Sequence, residues 1–282
     1  KKMGGNVTET TIPQRLQKFN QDLDKIESAR IVLAVDFSLS NKSRAQGWGS
    51  QSLHSPGVVT ENNTALEVQS PYRRCIELLL KRIQQLDRNE GGFVFMAFTD
   101  QIKIEQNVTC ATVLQEYDRL AAEFNRPAYT ESIFAPLPQS QGSDFSCVIN
   151  RAVDLAALRR EFTICVILTD GDFQCAPASQ ALVEASSFPL AFSIVGIGES
   201  DFSQLEFFDS QLFERKFDNL RFFQFRYGKR YEFGDKILFD PGAMLGEAAQ
   251  RDFDFGVFGE VWAQFEEAGK MRSRELLEKI AK

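Results

Sequence analysis

Two aspartates stand at the ends of apolar runs, and oxygen-bearing side chains follow them closely. Asp36 ends the first run and opens a D-x-S-x-S motif with Ser38 and Ser40. Alternation along an extended turn places these three side chains on one side, so their oxygens converge. Asp170 ends the third run and is followed by a glycine, which permits a tight turn there.

This set of side chains favours a hard cation. Carboxylate and hydroxyl oxygens suit Mg²⁺, which needs about six ligands and keeps several waters. No histidine or cysteine is placed in a pattern that favours zinc. A serine-rich turn and a Thr-Asp-Gly turn are each usually structural, but their joint placement at two strand ends favours a metal site.

Apolar runs alternate with segments of helical periodicity along the chain. The predicted buried strands are Arg30–Asp36, Gly92–Phe98, Phe162–Asp170 and Leu190–Gly198. The predicted helices are Pro13–Ile26, Pro71–Leu86, Ala111–Phe124, Val148–Leu158, Ser179–Ser187 and Val257–Phe265. The alternation predicts an α/β fold with a doubly wound, mostly parallel sheet and helices on both faces. Ligands of such sheets bind beyond the carboxyl ends of the strands, where both aspartates stand.

The chain reads as one folded domain with short additions. We expect an N-terminal segment with a preface helix at 1–28, the α/β domain at 29–268 and a charged C-terminal tail at 269–282. The polar stretch Ser38–Gln69 is long for a connection, and such stretches are usually functional or disordered. Many of the 26 phenylalanines lie in the last third of the chain. Most of these are expected in the core, and exposed ones would mark a protein interface.

Composition excludes several classes of protein. The 282 residues carry 32 lysines and arginines against 39 aspartates and glutamates, a net charge of −7, which argues against a nucleic-acid binder. No apolar run approaches the roughly 20 residues of a membrane-spanning helix. Five scattered cysteines without a C-x-x-C pair argue against a disulfide framework. We therefore expect a soluble cytoplasmic protein.

The sequence gives little support for catalysis. His54 is the only histidine, and no nucleophile–base pair is evident. A structural hydrogen-bonding role is the favoured interpretation of His54. The chain has no G-x-x-x-x-G-K-[ST] motif, and Gly196 and Gly198 form a lone G-x-G that is weak support for a nucleotide site. We predict that the chain is not an enzyme.

The D-x-S-x-S motif and the later Thr-Asp-Gly resemble the metal-ion-dependent adhesion site (MIDAS) of von Willebrand factor A (vWA) domains. The closer resemblance is to the copine-type vWA domain, which is Rossmann-like, and it extends from about Pro13 to Ala268. The ordered blocks that carry it are Val35–Asn41, Ser52–His54, Ser70–Tyr72, Phe145–Asn150, Ile167–Gly171, 194–202, 205–207 and 217–219.

The resemblance implies a ligand set. Asp36, Ser38, Ser40 and Asp170 match the family's metal-binding positions, with Mg²⁺ as the expected ion and Mn²⁺ or Ca²⁺ as alternatives. The family's remaining loop supplies a threonine, and alignment on the Phe-Ser-Cys-Val-Ile block puts Ser143 at that position. A shift of one residue would make Asp144 the ligand instead. In such domains the metal keeps one position open for a carboxylate of a partner protein.

The resemblance leaves other properties aside. Copines carry lipid-binding domains ahead of the vWA domain, and the copine-like plant ubiquitin ligases carry a zinc-binding RING after it. About thirty residues precede the first predicted strand and the last cysteine is Cys175, so we expect neither activity in this chain. Met3–Thr8 fits the myristoylation pattern at Gly4, although Lys1 and Lys2 precede it. Peripheral association with a membrane or the cytoskeleton therefore stays open.

Three functions remain. The first is a protein-binding module that uses Mg²⁺ to coordinate an acidic side chain of a partner. The second is a scaffold subunit of a larger assembly, with metal-independent contacts through the phenylalanines, the Ser38–Gln69 stretch and an insert at 124–138. The third, ranked last for want of a base, is a metal-dependent hydrolase using Asp36 or Asp170.

Overall fold

A computed structural model describes residues 18, 21–22, 25–26, 29–43, 50, 52–61, 64–87, 91–127, 132–134, 142–159, 161–225, 229–233, 236–240 and 247–280. Its strands are β1 (Arg30–Asp36), β2 (Gly57–Glu61), β3 (Thr64–Val68), β4 (Phe93–Phe98), β5 (Ile102–Val108), β6 (Thr163–Thr169), β7 (Leu190–Ile197), β8 (Leu220–Phe225), β9 (Lys229–Phe233) and β10 (Lys236–Asp240). Its helices are α1 (Ser40–Ser43), α2 (Pro71–Leu86), α3 (Val113–Phe124), α4 (Phe145–Arg159), α5 (Cys175–Ala185), α6 (Ser203–Gln211), α7 (Glu247–Phe258) and α8 (Val261–Ile280).

Six strands form one sheet in the order β5-β4-β1-β6-β7-β8. All neighbours are parallel except β4 and β5, which pair antiparallel at one edge. The chain leaves β1 first toward β4 and later returns to β6 on its other side, so the strand order reverses at β1. A crevice opens at such a switch point, beyond the carboxyl ends of β1 and β6.

Helices cover both faces of the sheet. Ile31, Leu33 and Val35 of β1 join a core with α2, α3, α7 and α8, whereas Val32 and Ala34 join a second core with α4, α5 and α6. These side chains are fully buried. Because β1 is covered on both faces, its sequence is a continuous apolar run, and each such side chain contributes about 1.5–3 kcal/mol. The predicted α/β fold with a mostly parallel, doubly wound sheet is confirmed.

Several segments differ from the sequence-based expectation. The Ser38–Gln69 stretch contains α1 and an antiparallel hairpin, β2–β3, with Val59 opposite Leu66. The strands β5 and β8 and the helix α6 were not predicted. The single helix predicted at Val257–Phe265 is wrong, because α7 ends at Phe258 and α8 begins at Val261.

Some expectations are not tested. Gly4 and most of the predicted preface helix lie outside the described residues, so both stay predictions. The domain boundaries also stay predictions, although α8 continues from Val261 through position 269 to Ile280 without a break. No described helix combines the length and the apolar composition that a membrane span requires.

Candidate functional site at the carboxyl ends of β1 and β6

The two predicted aspartates lie at adjacent strand ends. Asp36 is the last residue of β1, and Asp170 directly follows β6. The register pairs Val35 with Leu168, so the residues that come next along both strands meet at the same edge. Both aspartates are fully buried. The arrangement concentrates negative charge where water is excluded, which is unfavourable without a compensating group.

Hydrogen bonds hold the Asp36 carboxylate from two sides. The backbone N–H of Ser38 donates to Oδ1 at 2.8 Å, and the Thr169 hydroxyl donates to Oδ2 at 2.9 Å. Burial and, second, the charge of Asp170 raise the pKa of Asp36 to about 7, against the opposing effect of the hydrogen bonds from Ser38 and Thr169. Asp36 is therefore a carboxylate whose ionised form gains from a nearby cation.

The D-x-S-x-S residues form a compact loop. The hydroxyl oxygens of Ser38 and Ser40 are 2.8 Å apart. Asn41, the second residue of α1, fixes the loop because its amide donates to the backbone oxygens of Asp36 at 3.2 Å and Ser38 at 3.3 Å. The loop therefore gathers two hydroxyls directly beside a buried carboxylate.

The residues just before α4 bring Ser143 beside the Asp170 loop. Ser143 forms an isolated parallel bridge with Phe173, and its hydroxyl donates to the backbone oxygen of Asp172 at 2.8 Å. Asp144 has a different local role, since its Oδ1 accepts from the backbone N–H of Ser146 at 2.8 Å in the first turn of α4. The choice between Ser143 and Asp144 as a ligand stays a prediction, and the capping bond favours Ser143.

The donor set fits a hard divalent cation. Two buried carboxylates and two hydroxyls are oxygen ligands of the kind that Mg²⁺ and Mn²⁺ accept. Among the described residues, no group of three or more His, Cys, Asp or Glu side chains is placed to hold a metal. A zinc centre of the usual nitrogen and sulfur ligands therefore has no support there.

Further carboxylates make this edge of the sheet acidic. Burial, together with the carboxylates of Asp144, Asp100 and Asp36, raises the pKa of the Cys147 thiol to about 12. Each of these three carboxylates therefore acts on one position near the start of α4. Lys103 pairs with Asp100 at 3.4 Å, and the other carboxylates disfavour an approaching anion.

His54 supports the site from behind. Its ring is buried and stacks on Phe37 at 4.2 Å, and burial lowers its pKa to about 3. Nε2 lies 2.9 Å from the backbone oxygen of Asp36, an acceptor, so Nε2 carries the proton and Nδ1 accepts from the Tyr117 hydroxyl at 3.0 Å. The Ser70 hydroxyl extends this series of hydrogen bonds, since its oxygen lies 3.2 Å from the Tyr117 hydroxyl. The predicted structural role of His54 is confirmed.

Sequence reasoning missed several supporting residues. Thr169 and Asn41 lie within the motifs, but the sequence did not predict that they support Asp36 by hydrogen bonding. The contact of Tyr117 with His54 was not predicted either. The hydrogen bond between Asp36 and Thr169 joins residues 133 positions apart, so no local sequence pattern predicts it. The one available signal was Thr169 itself, a hydroxyl residue directly before Asp170 at the end of a mostly apolar strand.

Comparison with known families gives a match over most of the chain. A family model described as Copine matches residues 63–271. The matched segment includes Ser143 and Asp170 and begins after the Asp36–Ser40 loop.

Curated relatives are distant and longer. "Copine family protein 1" of Caenorhabditis elegans is 23% identical over 210 residues, which cover 71% of this chain and 17% of that protein. "E3 ubiquitin-protein ligase RGLG3" of Arabidopsis thaliana is 25% identical over 222 residues, which cover 71% of this chain and 55% of that protein. The chain thus spans about half or less of the length of these relatives.

Solved structures show weaker likeness. The manganese-loaded TRAP protein of Plasmodium vivax has a TM-score of 0.40 and 12% identity, covering 71% of this chain and 69% of that one. BatB of Bacteroides thetaiotaomicron has a TM-score of 0.37 and 16% identity, covering 60% and 66%.

Proposed function

The chain belongs to the copine family, and from this premise we propose that it is a non-enzymatic protein-binding module with a divalent-metal site. Asp36, Ser38, Ser40 and Asp170 are the proposed ligands, with Ser143 as the fifth and Asp144 as its alternative. The observation that carries the proposal is the burial of two aspartates at neighbouring strand ends, with the pKa of Asp36 raised to about 7.

The protein's own groups prepare this site. Ser38 N–H and the Thr169 hydroxyl orient the Asp36 carboxylate, and Asn41 holds the hydroxyl-bearing loop beside it. The two buried carboxylates repel each other. A cation bound beside them is therefore expected to stabilise the folded protein. Mg²⁺, when bound, supplies an open coordination position for an oxygen ligand of a partner.

An acidic side chain is the proposed partner group. Three of the five proposed ligands, the hydroxyls of Ser38, Ser40 and Ser143, are neutral, and the two aspartates at most balance a divalent charge, so the open coordination position can accept an anionic oxygen in place of water. The remaining carboxylates of this edge repel an acid when the cation is absent. Partner binding is therefore expected to depend on metal, not merely to be strengthened by it.

Ubiquitin transfer is not part of the proposal. The ligase name belongs to the plant relative, of which this chain covers 55%. No residue constellation in the described ranges places a nucleophile beside a base: His54 is enclosed, and burial raises the pKa of each of the cysteines Cys75, Cys110, Cys147, Cys165 and Cys175.

The first experiment measures metal binding without a partner. Mn²⁺ titration followed by electron paramagnetic resonance is expected to show one site in the wild type and none in Asp36→Asn. Ser40→Ala removes a proposed ligand and leaves the buried carboxylates in place. It is therefore expected to weaken Mn²⁺ binding while the protein stays folded. Asp118→Asn, on the exposed side of α3, is the control and keeps full binding.

The second experiment tests partner recognition. Proteins captured from native lysate with Mg²⁺ are compared among the wild type, Asp36→Asn and the wild type with chelator. Loss of the same proteins in both treatments supports the metal-dependent module. Retention of all of them contradicts it and supports the scaffold function, in which the fold makes metal-independent contacts.

A further inference from the structure

A groove opens between α5 and α6, away from the aspartates. Its volume is about 460 Å³. Its walls include Val183, Glu184, Phe207, Leu212, Phe213 and Glu214. Helix α5 follows β6 and α6 follows β7, so both begin near the carboxyl edge of the sheet and run away from it. The groove starts at position 179 of α5 and position 207 of α6, so it lies toward the opposite edge.

Two phenylalanines of this groove are displayed to solvent. Phe207 is 44% exposed and Phe213 is 78% exposed, whereas the adjacent Phe208 is 3% exposed and packs in the core. Exposed aromatic side chains that share one concave surface are typical of interaction sites, and buried aromatic anchors dominate binding energy when such sites are occupied.

The turn that displays Phe213 is held rigidly. Glu214 has a φ of 77°, a left-handed conformation that L residues adopt only at a cost in free energy. The Arg215 guanidinium donates to the backbone oxygens of Leu212 and Asp209, each at 3.0 Å, and forms an ion pair with Asp218 at 2.8 Å. The exposure of Phe213 is therefore imposed by a built turn.

The groove is also negatively charged. Glu184 and Glu214 line it, and none of the lysines and arginines in the described part of the chain does. Gln180 orients one carboxylate by donating to Glu184 Oε1 at 3.0 Å. The Arg215 guanidinium is engaged beneath the turn, and Lys216 does not line the groove. The surface is thus complementary to a group that is apolar at its centre and cationic at its side.

We propose that this α5–α6 groove binds a peptide segment of another protein in which a bulky apolar side chain stands next to a lysine or arginine. The apolar side chain packs between Phe207 and Phe213, against Val183. The cation pairs with Glu184 and Glu214, which gives direction and salt dependence to the binding. Because the groove shares no residue with the aspartate site, this binding does not require metal.

A peptide-display selection tests the proposal. A library of random twelve-residue peptides is selected on the wild-type protein in chelator and depleted on the double variant Phe207→Ser, Phe213→Ser. The expected survivors combine a bulky apolar residue with a lysine or arginine within a few positions. A fluorescein-labelled survivor is then titrated by anisotropy, where Phe213→Ser weakens binding by at least roughly tenfold. Replacing both glutamates by glutamine weakens it by a few fold and flattens its salt dependence.

Controls separate the groove from other surfaces. Leu158→Ser, which changes an apolar residue of α4 that is 74% exposed, leaves the affinity unchanged. Replacing the chelator by Mg²⁺ also leaves it unchanged, so failure of the metal site and failure of the groove are distinguishable. The proposal is overturned if no peptide is enriched, if survivors are acidic, or if they bind the double variant equally well. Self-association of the protein that Phe213→Ser abolishes also overturns it, because the occupant would then be a second copy.

Discussion

The hydroxyl of Thr169 donates a hydrogen bond of 2.9 Å to Oδ2 of Asp36, across the boundary between β6 and β1. The same hydroxyl accepts from the backbone N–H of Gly171 at 3.0 Å. One buried oxygen thus links the carboxylate of Asp36, a proposed metal ligand, to the turn that holds Asp170. The relative position of the two aspartates depends on this side chain.

Replacing Thr169 by valine tests that dependence. The valine keeps the shape of the side chain but leaves Asp36 without a donor at Oδ2 and Gly171 without its acceptor. We expect the free energy of unfolding to fall by about 1–3 kcal/mol and Mn²⁺ affinity to fall roughly tenfold. Urea unfolding and Mn²⁺ titration measure the two effects. Thr169→Ser keeps the hydroxyl and is the control, so an equal loss of Mn²⁺ affinity in Thr169→Ser contradicts the argument.

The charge on Asp36 makes the metal-free protein sensitive to pH. The folded-state pKa is raised from 3.8 to about 7, so the folded state binds more protons than the unfolded state between these values. The contribution of Asp36 to stability therefore decreases as pH rises from about 4 to about 7, by roughly 1.4 kcal/mol per unit. Asp36→Asn lacks this dependence.

The measurement is urea unfolding of the wild type and Asp36→Asn in chelator at pH 5 and pH 7. The change in unfolding free energy between the two pH values is compared between the two proteins. We expect the wild type to lose stability relative to Asp36→Asn over this interval. At pH 8, Mg²⁺ is expected to raise the melting temperature of the wild type and not that of the variant. A Mg²⁺ shift of equal size in both proteins shows that the ion acts elsewhere.

His54 produces a dependence of the opposite sign. The pKa of His54 in the folded state is lowered from 6.5 to about 3. Below pH 6.5 the ring is therefore protonated in the unfolded state and stays neutral in the folded state. Stability is lost as pH falls through this window, by about 2 kcal/mol at pH 5. His54→Gln keeps a donor toward Asp36 and removes the titration. When pH is lowered from 7 to 5, the unfolding free energy of His54→Gln should therefore rise relative to that of the wild type by about 2 kcal/mol.

The effects of Asp36 and His54 oppose each other between pH 4 and pH 6.5. The wild type alone therefore shows a flattened profile, and each contribution appears only in the comparison with its variant. An equal change in unfolding free energy in His54→Gln and in the wild type between pH 7 and pH 5 would mean that the ring is not the group responsible.

Buried strands were predictable from the sequence and edge strands were not. β1 and β6 are covered on both faces, so each reads as a mostly apolar run, with Asp36 at the end of β1 and Asp170 directly after β6. β5 lies at the antiparallel edge and is half exposed, so Lys103, Glu105 and Gln106 interrupt its pattern. β8 is likewise interrupted by Arg221 and Gln224. A strand of this kind is specified by its neighbour in the sheet, which a single sequence does not display.

The candidate site divides in the same way. Asp36, Ser38 and Ser40 were predictable because one short motif contains them, and Asp170 because it follows a buried strand. Thr169 and Tyr117 act through partners 133 and 63 positions away, so their roles follow only from the folded chain. Local motifs therefore indicate ligands, whereas the groups that orient those ligands come from tertiary packing.

Two helical glycines provide a final test, with opposite expected signs. A Cβ added at Gly256 of α7 would lie 2.2 Å from a ring carbon of Phe223 on β8, so only glycine permits the close approach of this helix to the sheet. A Cβ at Gly269 of α8 meets nothing within 4 Å. Gly256→Ala is expected to reduce the free energy of unfolding by about 1–3 kcal/mol. Gly269→Ala is expected to increase it by about 1 kcal/mol, because alanine is the better helix former. Urea unfolding compares both with the wild type, and an increase for Gly256→Ala contradicts the packing of α7 on β8.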